Sequence, residues 1–288
     1  MDVYLCDNSI EGIFSAIYKA WEAGTSHTDV RCADVVSNYS LFENYINIRT
    51  DLTLSDKVAN TIKLKLSNDI YEMIFTVAQS IADNKASVIY HCLQRMFKYG
   101  TSVLHNINDE YIFQFNKIYK KAANEAHFYI EILRFNENAN GFLTARIEPD
   151  NNIIYMIIDH FNDRLHCENF LIYDVRRNIA YIHMNNNTAF FYNDYNNELL
   201  KQLDDFSDNE NDIQNLWIRF YNTIAIKERV NYKCQINMLP LKYRKYLPEL
   251  PIKKGIPPKS IEYLLMGHWG IVLSSYQALS IVIITHSR

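Results

Sequence analysis

The chain has 288 residues, of which 48% are hydrophobic and 22% charged. That balance excludes a disordered chain and allows one large domain or two ordinary ones. Seven Gly and six Pro, with no G-x-G-x-x-G and no G-x-x-x-x-G-K-[ST], exclude the usual Gly-rich phosphate loops, and a net charge of −4 argues against a dedicated, strongly basic nucleic-acid binder.

In chain order, residues 2–6 read as a short strand, and Asp7-Asn8-Ser9 supplies a helix cap. Ile10, Ile13, Phe14, Ile17 and Trp21 follow at helical spacing, and Gly24 closes that helix. Residues 45–48 read as a strand. Residues 55 to about 134 carry helical periodicity almost continuously, broken at Ser67-Asn68-Asp69, Asp83-Asn84-Lys85 and Gly100-Thr101, with a long helix over 109–131. Residues 142–147 then alternate apolar and polar side chains, and 170–173, 179–183 and 189–192 repeat the pattern with turn-forming Asn residues between them. The spacing predicts an antiparallel meander crossed by one helix at about 152–163. Ile213, Leu216, Trp217, Phe220, Ile224 and Ile226 predict another amphipathic helix. The fold class is α+β, a helical N-terminal half with an antiparallel sheet in the C-terminal half. Without an internal repeat or a Pro/Gly/Ser linker, residues 1–250 are expected to form one compact domain, followed by an apolar extension over 251–288.

The modest net charge hides an asymmetry. Seven acidic residues stand against Lys201 alone between Asp194 and Asp212, whereas nine Lys and Arg stand against three Glu between Lys227 and Glu262. A basic C-terminal third is compatible with contact to a polyanion. Residues 266–285, MGHWGIVLSSYQALSIVIIT, contain no Asp, Glu, Lys or Arg. They are long enough for a bilayer, but His268, Ser274, Ser275, Gln277 and Ser280 dilute their hydrophobicity, so membrane association is not expected. Five scattered Cys with no C-x-x-C pair read as reduced thiols, with neither a disulfide frame nor a zinc site. No metal or other cofactor is expected. MDVYLCDNSIEG lacks both a basic start and a long apolar run, so no secretory signal is expected and the protein is placed in the cytoplasm.

Three stretches carry candidate chemistry. In FLTARIEPDNNIIYMIIDHF, residues 142–161, Glu148, Asp150, Asp159 and His160 are residue types that metal nucleases and hydrolases use. Asp150 stands where an N-cap carboxylate belongs, and Glu148 lies just upstream. Pro149-Asp150 with Asp174-Val175-Arg176 loosely echoes a PD…(D/E)xK nuclease, but Arg replaces the final Lys and the segment reads mainly as a strand-to-helix joint. In NEAHFYIEILRF, Glu125 and His127 are two positions apart on a helix, so their side chains diverge by about 200° and cannot form an acid–base pair alone. Arg134 and Arg146 flank the turn at 136–141 and are placed to face each other across paired strands. In KCQINMLPLKYRKYL, residues 233–247, Lys242, Arg244 and Lys245 interleave with Tyr243 and Tyr246. Such cations neutralise phosphates while aromatic faces stack on unpaired bases.

Six blocks occur in a familiar order: YLCDNSIEGIFSAIYKAW, EAHFYIEILRF, FLTARIEPDNNIIYMIIDHFNDRL, FLIYDVRRNIAYIH, LWIRFYNTIAIKERVN and CQINMLPLKYRKYLPE. Together they resemble a bacterial family labelled as DNA-repair or DNA-metabolism proteins, whose shared region is called domain of unknown function 4130. The resemblance covers about residues 2–249. Asn8 stands where the family usually has Gly, and Asn is the next most tolerant of left-handed backbone. Members of the family are typically encoded beside a radical-SAM protein, and a related domain is sometimes joined to a uracil-DNA glycosylase-like domain. This chain has no C-x-x-x-C-x-x-C of its own, so the resemblance implies that a partner performs such chemistry. It also implies a cytoplasmic location, and it supplies no catalytic residue. The expectation is an accessory protein of DNA repair or DNA metabolism that binds DNA, or a radical-SAM or glycosylase-type partner enzyme. Lys227, Arg229, Lys242, Arg244 and Lys245 would contact phosphates, Tyr243 would stack, and Arg134 and Arg146 would add to them. Two alternatives are an enzyme in which Glu125, His127 and Glu148 converge, and a pure protein–protein adaptor.

Overall fold

The computed structural model describes residues 1–24, 28–36, 39–186, 188–203, 206, 207 and 209–250. The apolar extension expected over 251–288 lies outside the described residues. The chain divides into two compact units, one formed by Met1–Ala126 with Pro149–Met156, the other by His127–Glu148 with the residues from Ile157 onward. Mixed α and β structure is as the periodicity predicts, with helices dominating the N-terminal half and the larger sheet in the C-terminal half.

The first unit starts with β1 (Asp2–Cys6), α1 (Ile10–Ala23), β2 (Thr28–Cys32) and β3 (Asn44–Asn47). The strands form a parallel sheet in the order β2-β1-β3. Because β1 is paired on both edges, Val3, Tyr4, Leu5 and Cys6 are all buried. The predicted cap is present: the Ser9 hydroxyl accepts from the Gly12 backbone N–H at 3.0 Å, and Gly24 ends α1 at φ 63°. Gly12 is required by close approach, since a Cβ there would meet the Asp7 carbonyl oxygen at 2.7 Å. Positive φ among the described non-glycine residues falls at Asn178 and Asn197 and not at Asn8.

The strand β2 does not show in the sequence pattern because charged Asp29 and Arg31 interrupt it. Both charges are held locally. Asp29 Oδ2 accepts from Arg31 Nε at 2.9 Å, and Arg31 spans to both oxygens of Glu43 at 3.0 Å. Four helices follow, α2 (Leu52–Lys65), α3 (Asn68–Ala78), α4 (Lys85–Tyr99) and α5 (Glu110–Ile132), and their breaks fall where the sequence places them. Ser67 caps α3 and Asp109 caps α5, each accepting from free helix N–H groups. Buried Lys85 donates to the Ala78 and Ser80 carbonyls at 2.7 and 3.0 Å and satisfies the end of α3. Ile13, Phe14, Ile17, Ile62, Ile74, Ile89 and Leu93 fill the core.

The second unit carries β4 (Asn136–Glu137), β5 (Leu143–Ile147), β6 (Phe170–Asp174), β7 (Ile179–His183) and β8 (Ala189–Asn193), in sequential spatial order. The predicted meander holds for β6-β7-β8, and β4–β5 is antiparallel, but β5 and β6 run parallel. This corrects the expectation of a wholly antiparallel sheet. Parallel neighbours need a crossover, and α6 (Ile154–Arg164) supplies it. After β8 come α7 (Glu198–Gln202), α8 (Glu210–Ile224) and α9 (Tyr232–Met238), with 3-10 turns at Lys227–Arg229 and Leu241–Tyr243. Among the described residues no helix is long and apolar enough to cross a membrane.

The joint at 148–153 differs in detail from the prediction. The helix α6 begins at Ile154, so Asp150 stands four residues ahead of it and is not its N-cap. The carboxylate that meets this stretch is Glu125, only 4% exposed in α5. It accepts from the backbone N–H of Asp150 at 3.0 Å and of Asn151 at 2.8 Å, and from Asn151 Nδ2 at 2.7 Å. Asn151 Oδ1 in turn accepts from the Ile81 N–H at 3.0 Å. Glu125→Ala strands these buried donors, and we expect it to lower the unfolding free energy by about 2–4 kcal/mol. Glu125→Gln, which retains one acceptor oxygen, should cost less. Urea denaturation of the two variants checks both the size and the order.

Candidate nucleic-acid interface

Two-residue alternation along β5 sends Thr144 and Arg146 to one face of the strand and Leu143, Ala145 and Ile147 to the other. The β4–β5 register pairs Asn136 with Thr144. Carried one step further, it sets Arg134 opposite Arg146, as their positions around the turn predict. All four residues line a single cavity of about 450 Å³ within the second unit. Its other walls include Leu203, Phe206, Gln214 and the run from Arg244 to Pro248. Four cations, Arg134, Arg146, Arg244 and Lys245, therefore meet at one cavity, and no Asp or Glu is among the described residues that line it.

Arg134, Arg244 and Lys245 are positioned by identifiable partners. Arg134 Nη2 donates to Glu249 Oε1 at 2.9 Å, and its guanidinium lies 5.5 Å from the Trp217 ring. Arg244, 7% exposed, follows the Leu241–Tyr243 turn, and its Nε donates to the Leu239 carbonyl at 2.9 Å. The Arg244 Nη2 is buried and has no hydrogen-bond acceptor among the described residues. Burial pushes the Arg244 guanidinium below its ordinary value, with Tyr221 opposing; arginine nevertheless keeps its charge in proteins. Lys245 Nζ and the Tyr246 hydroxyl both donate to Glu148 Oε1. Burial works to raise the Glu148 carboxyl, and these two hydrogen bonds overcome it and hold the group below its ordinary value. Burial and then Glu148 push the Tyr246 hydroxyl up to about 12, so it remains a donor at neutral pH.

The walls contributed by later elements are fixed through β4. Buried Glu210, in the first turn of α8, accepts from the Glu137 N–H at 2.9 Å and from Gln214 Nε2 at 3.0 Å. Gln214 Nε2 also reaches Asn136 Oδ1 at 3.4 Å. Phe206 enters the lining through its bridge with Asn138, and Leu203 through its packing with Leu171, Tyr173 and Ala180. No short-range signal marks Gln214, because a hydrogen bond from the Glu137 N–H to the Glu210 carboxylate, 73 positions apart, brings it there.

The remaining candidates fall elsewhere. Arg229 and Lys242 are not among the described lining residues, and the side chain of Lys227 lies outside the described part of the structure. Tyr243, expected to stack on a base, stacks on Phe128 at 5.4 Å and 16° and meets Tyr129 edge-on. Lys242 lies 4.6 Å from the same Tyr243 ring. His127 is 72% exposed in its side chain and pairs with Glu131, one helical turn on, at 3.0 Å. Glu125 serves the buried joint, and Glu148 serves Lys245 and Tyr246, so the three catalytic candidates have separate partners. Asp174, fully buried, is held by Arg177 at 2.8 Å and by the Arg176 and Arg177 N–H groups of its own turn.

The Glu148 cluster predicts an acid-dependent contribution to stability. A carboxyl lowered from 4.5 stabilises the fold above that value and loses its effect as pH falls through the folded value. We expect Glu148→Gln to be about 1 kcal/mol less stable than the native chain at neutral pH. The difference should shrink toward zero in acid. Urea unfolding over a range of pH checks the convergence, and a constant gap would contradict this role.

A search of curated proteins finds no match to the sequence. Residues 83–249 match the family described as Domain of unknown function (DUF4130). That span covers more than half of the chain and every residue lining the cavity, but not the opening block YLCDNSIEGIFSAIYKAW. By this match the chain belongs to the DUF4130 family.

Proposed function

We propose that the protein is an accessory factor of DNA repair or DNA metabolism whose second unit binds nucleic acid at the Arg-lined cavity. The observation that carries the reading is the convergence of Arg134, Arg146, Arg244 and Lys245 on one cavity, with Arg244 Nη2 buried and without an acceptor among the described residues. Glu249 and Glu148 balance Arg134 and Lys245, so an anion would be drawn chiefly to the buried Arg244 donor. Guanidinium groups suit phosphate because their planar donors meet two oxygens at once. The low net charge of the whole chain fits a localised contact better than a broad electrostatic surface.

The reading retains the partner implied by family resemblance. A radical-SAM or glycosylase-type enzyme would carry the reaction, and this chain would hold the nucleic acid for it. Nothing in the arrangement of Glu125, His127 and Glu148 favours catalysis by this chain over their observed structural engagements.

Fluorescence anisotropy with single-stranded, duplex and uracil-containing duplex DNA, repeated at several salt concentrations, tests the reading. Binding should weaken with salt, with a log–log slope of about 0.7–0.9 per phosphate contacted. Replacing Arg146, Arg244 and Lys245 together with Gln should reduce that slope by up to about three units. Lys242→Gln should change it less. An unchanged slope in the triple variant would remove the cavity from the interface, and no binding at low salt would remove direct contact with nucleic acid.

A further inference from the structure

We infer that Cys6 and Cys32 are a site of reversible oxidative modification, joined by an intramolecular disulfide when a hydroperoxide is present. Both lie in the first unit, outside the residues that match the family. No C-x-x-C marks them, because strand register and not sequence spacing makes the pair. Cys6 ends β1 and Cys32 ends β2, and the parallel register sets the two residues opposite each other. Neighbouring strands lie about 4.8 Å apart, within the roughly 4.4–6.8 Å that a disulfide spans between Cα atoms. Both side chains enter the same apolar core, each 1% exposed, and their thiols are within hydrogen-bonding reach of each other.

The pair is buried but shallow. Asp7, Asn8, Ala33 and Asp34, which directly follow the two cysteines, are all exposed. Asn8 Nδ2 donates to Asp34 Oδ2 at 2.7 Å and links the two loops, while the Cys32 thiol donates to Asn8 Oδ1 at 3.9 Å. Breaking that surface contact opens a short path to the Cys32 sulfur, and local opening of this kind is far easier than unfolding the sheet. Cys92 supplies the contrast. It is just as buried, but burial, with no second thiol among the influences on it, pushes it up to about 12, where it stays protonated and inert.

The two thiols take different parts. Their mutual hydrogen bond lowers Cys32, against the effect of burial and with help from the Lys85 charge, and it raises Cys6, with burial adding to it. Cys32 is therefore the attacking thiolate. Its sulfur attacks one oxygen of the hydroperoxide, the O–O bond breaks, and the departing oxygen takes up a proton, leaving Cys32 as a sulfenic acid. The Cys6 sulfur then attacks the Cys32 sulfur, the S–O bond breaks, and the hydroxyl leaves as water with the Cys6 proton. Two thiols lose two electrons and the hydroperoxide gains them. A small dithiol reverses the modification by thiol–disulfide exchange.

The test uses the full chain carrying Cys167→Ser and Cys234→Ser, which remove the two exposed thiols. Folded protein is treated with hydrogen peroxide, quenched, alkylated in denaturant and mapped by mass spectrometry. The expected product is a peptide pair linked through Cys6 and Cys32, released by dithiothreitol, with Cys92 still alkylated. In urea the same treatment should scatter links among all three cysteines. Cys6 and Cys32 remaining alkylated in the folded chain, at a peroxide exposure that links them in urea, would overturn the inference. Links to Cys92 forming as readily in the folded chain would also overturn it. Asn8→Ala, which removes the contact with Asp34, should form the link severalfold faster, and an unchanged rate would overturn the access route. In Cys6→Ala, dimedone should trap a sulfenic acid at Cys32, and its absence would overturn Cys32 as the attacking thiolate. The map on the chain that retains Cys6 decides the inference even where Cys6→Ala fails to fold.

Discussion

The second unit depends on the register of β5. Its two-residue period commits Ala145 and Ile147 to burial and sends Thr144 and Arg146 to the cavity. A slip of one residue would exchange these faces, placing the Arg146 guanidinium among apolar side chains and leaving Ile147 exposed. Pairing on both edges prevents that slip, antiparallel to β4 and parallel to β6. Through β4 the same register extends to Glu210, which anchors α8, and hence to Gln214. One strand thereby positions walls drawn from distant parts of the sequence.

Several charged residues that invite a catalytic interpretation instead satisfy buried backbone. Glu125 accepts three hydrogen bonds at the joint, Lys85 completes the end of α3, and Asp174 closes the turn after β6. Buried N–H and C=O groups must be paired, and a charged side chain does so strongly where regular structure stops. Lys85 and Asp174 stand at element ends, where orphan backbone groups collect, and Glu125 reaches the irregular joint from within α5. Arg244 differs, because part of its guanidinium remains without an acceptor among the described residues.

Most helices were legible because their caps and apolar spacing agree. Ser9, Ser67 and Gly24 mark their boundaries by short-range chemistry that tertiary context does not alter. The strand β2 was hidden by Asp29 and Arg31, whose compatibility with a sheet depends on Glu43 and therefore on folding. Parallel pairing of β5 and β6 was also hidden, since alternation gives the face of a residue but not the direction of its neighbour. At the cavity, Arg244 and Lys245 were readable as a basic run, and Arg134 with Arg146 from the turn between them. Tyr243 was misleading because composition shows a ring without showing that Phe128 already covers it. The walls from α8 and from Phe206 depend on long-range pairing and left no local signature.

The bond from Tyr246 to Glu148 joins residues 98 positions apart. Closing a loop of that length carries an entropic cost, so the cavity wall at Tyr246 depends on a contact distant in sequence. Under the proposed function, a ligand seated there would bind the finished form and not the open chain, and would shift the folding equilibrium by mass action. Occupancy would then also shield the segment around Lys245 and Tyr246 from proteolysis.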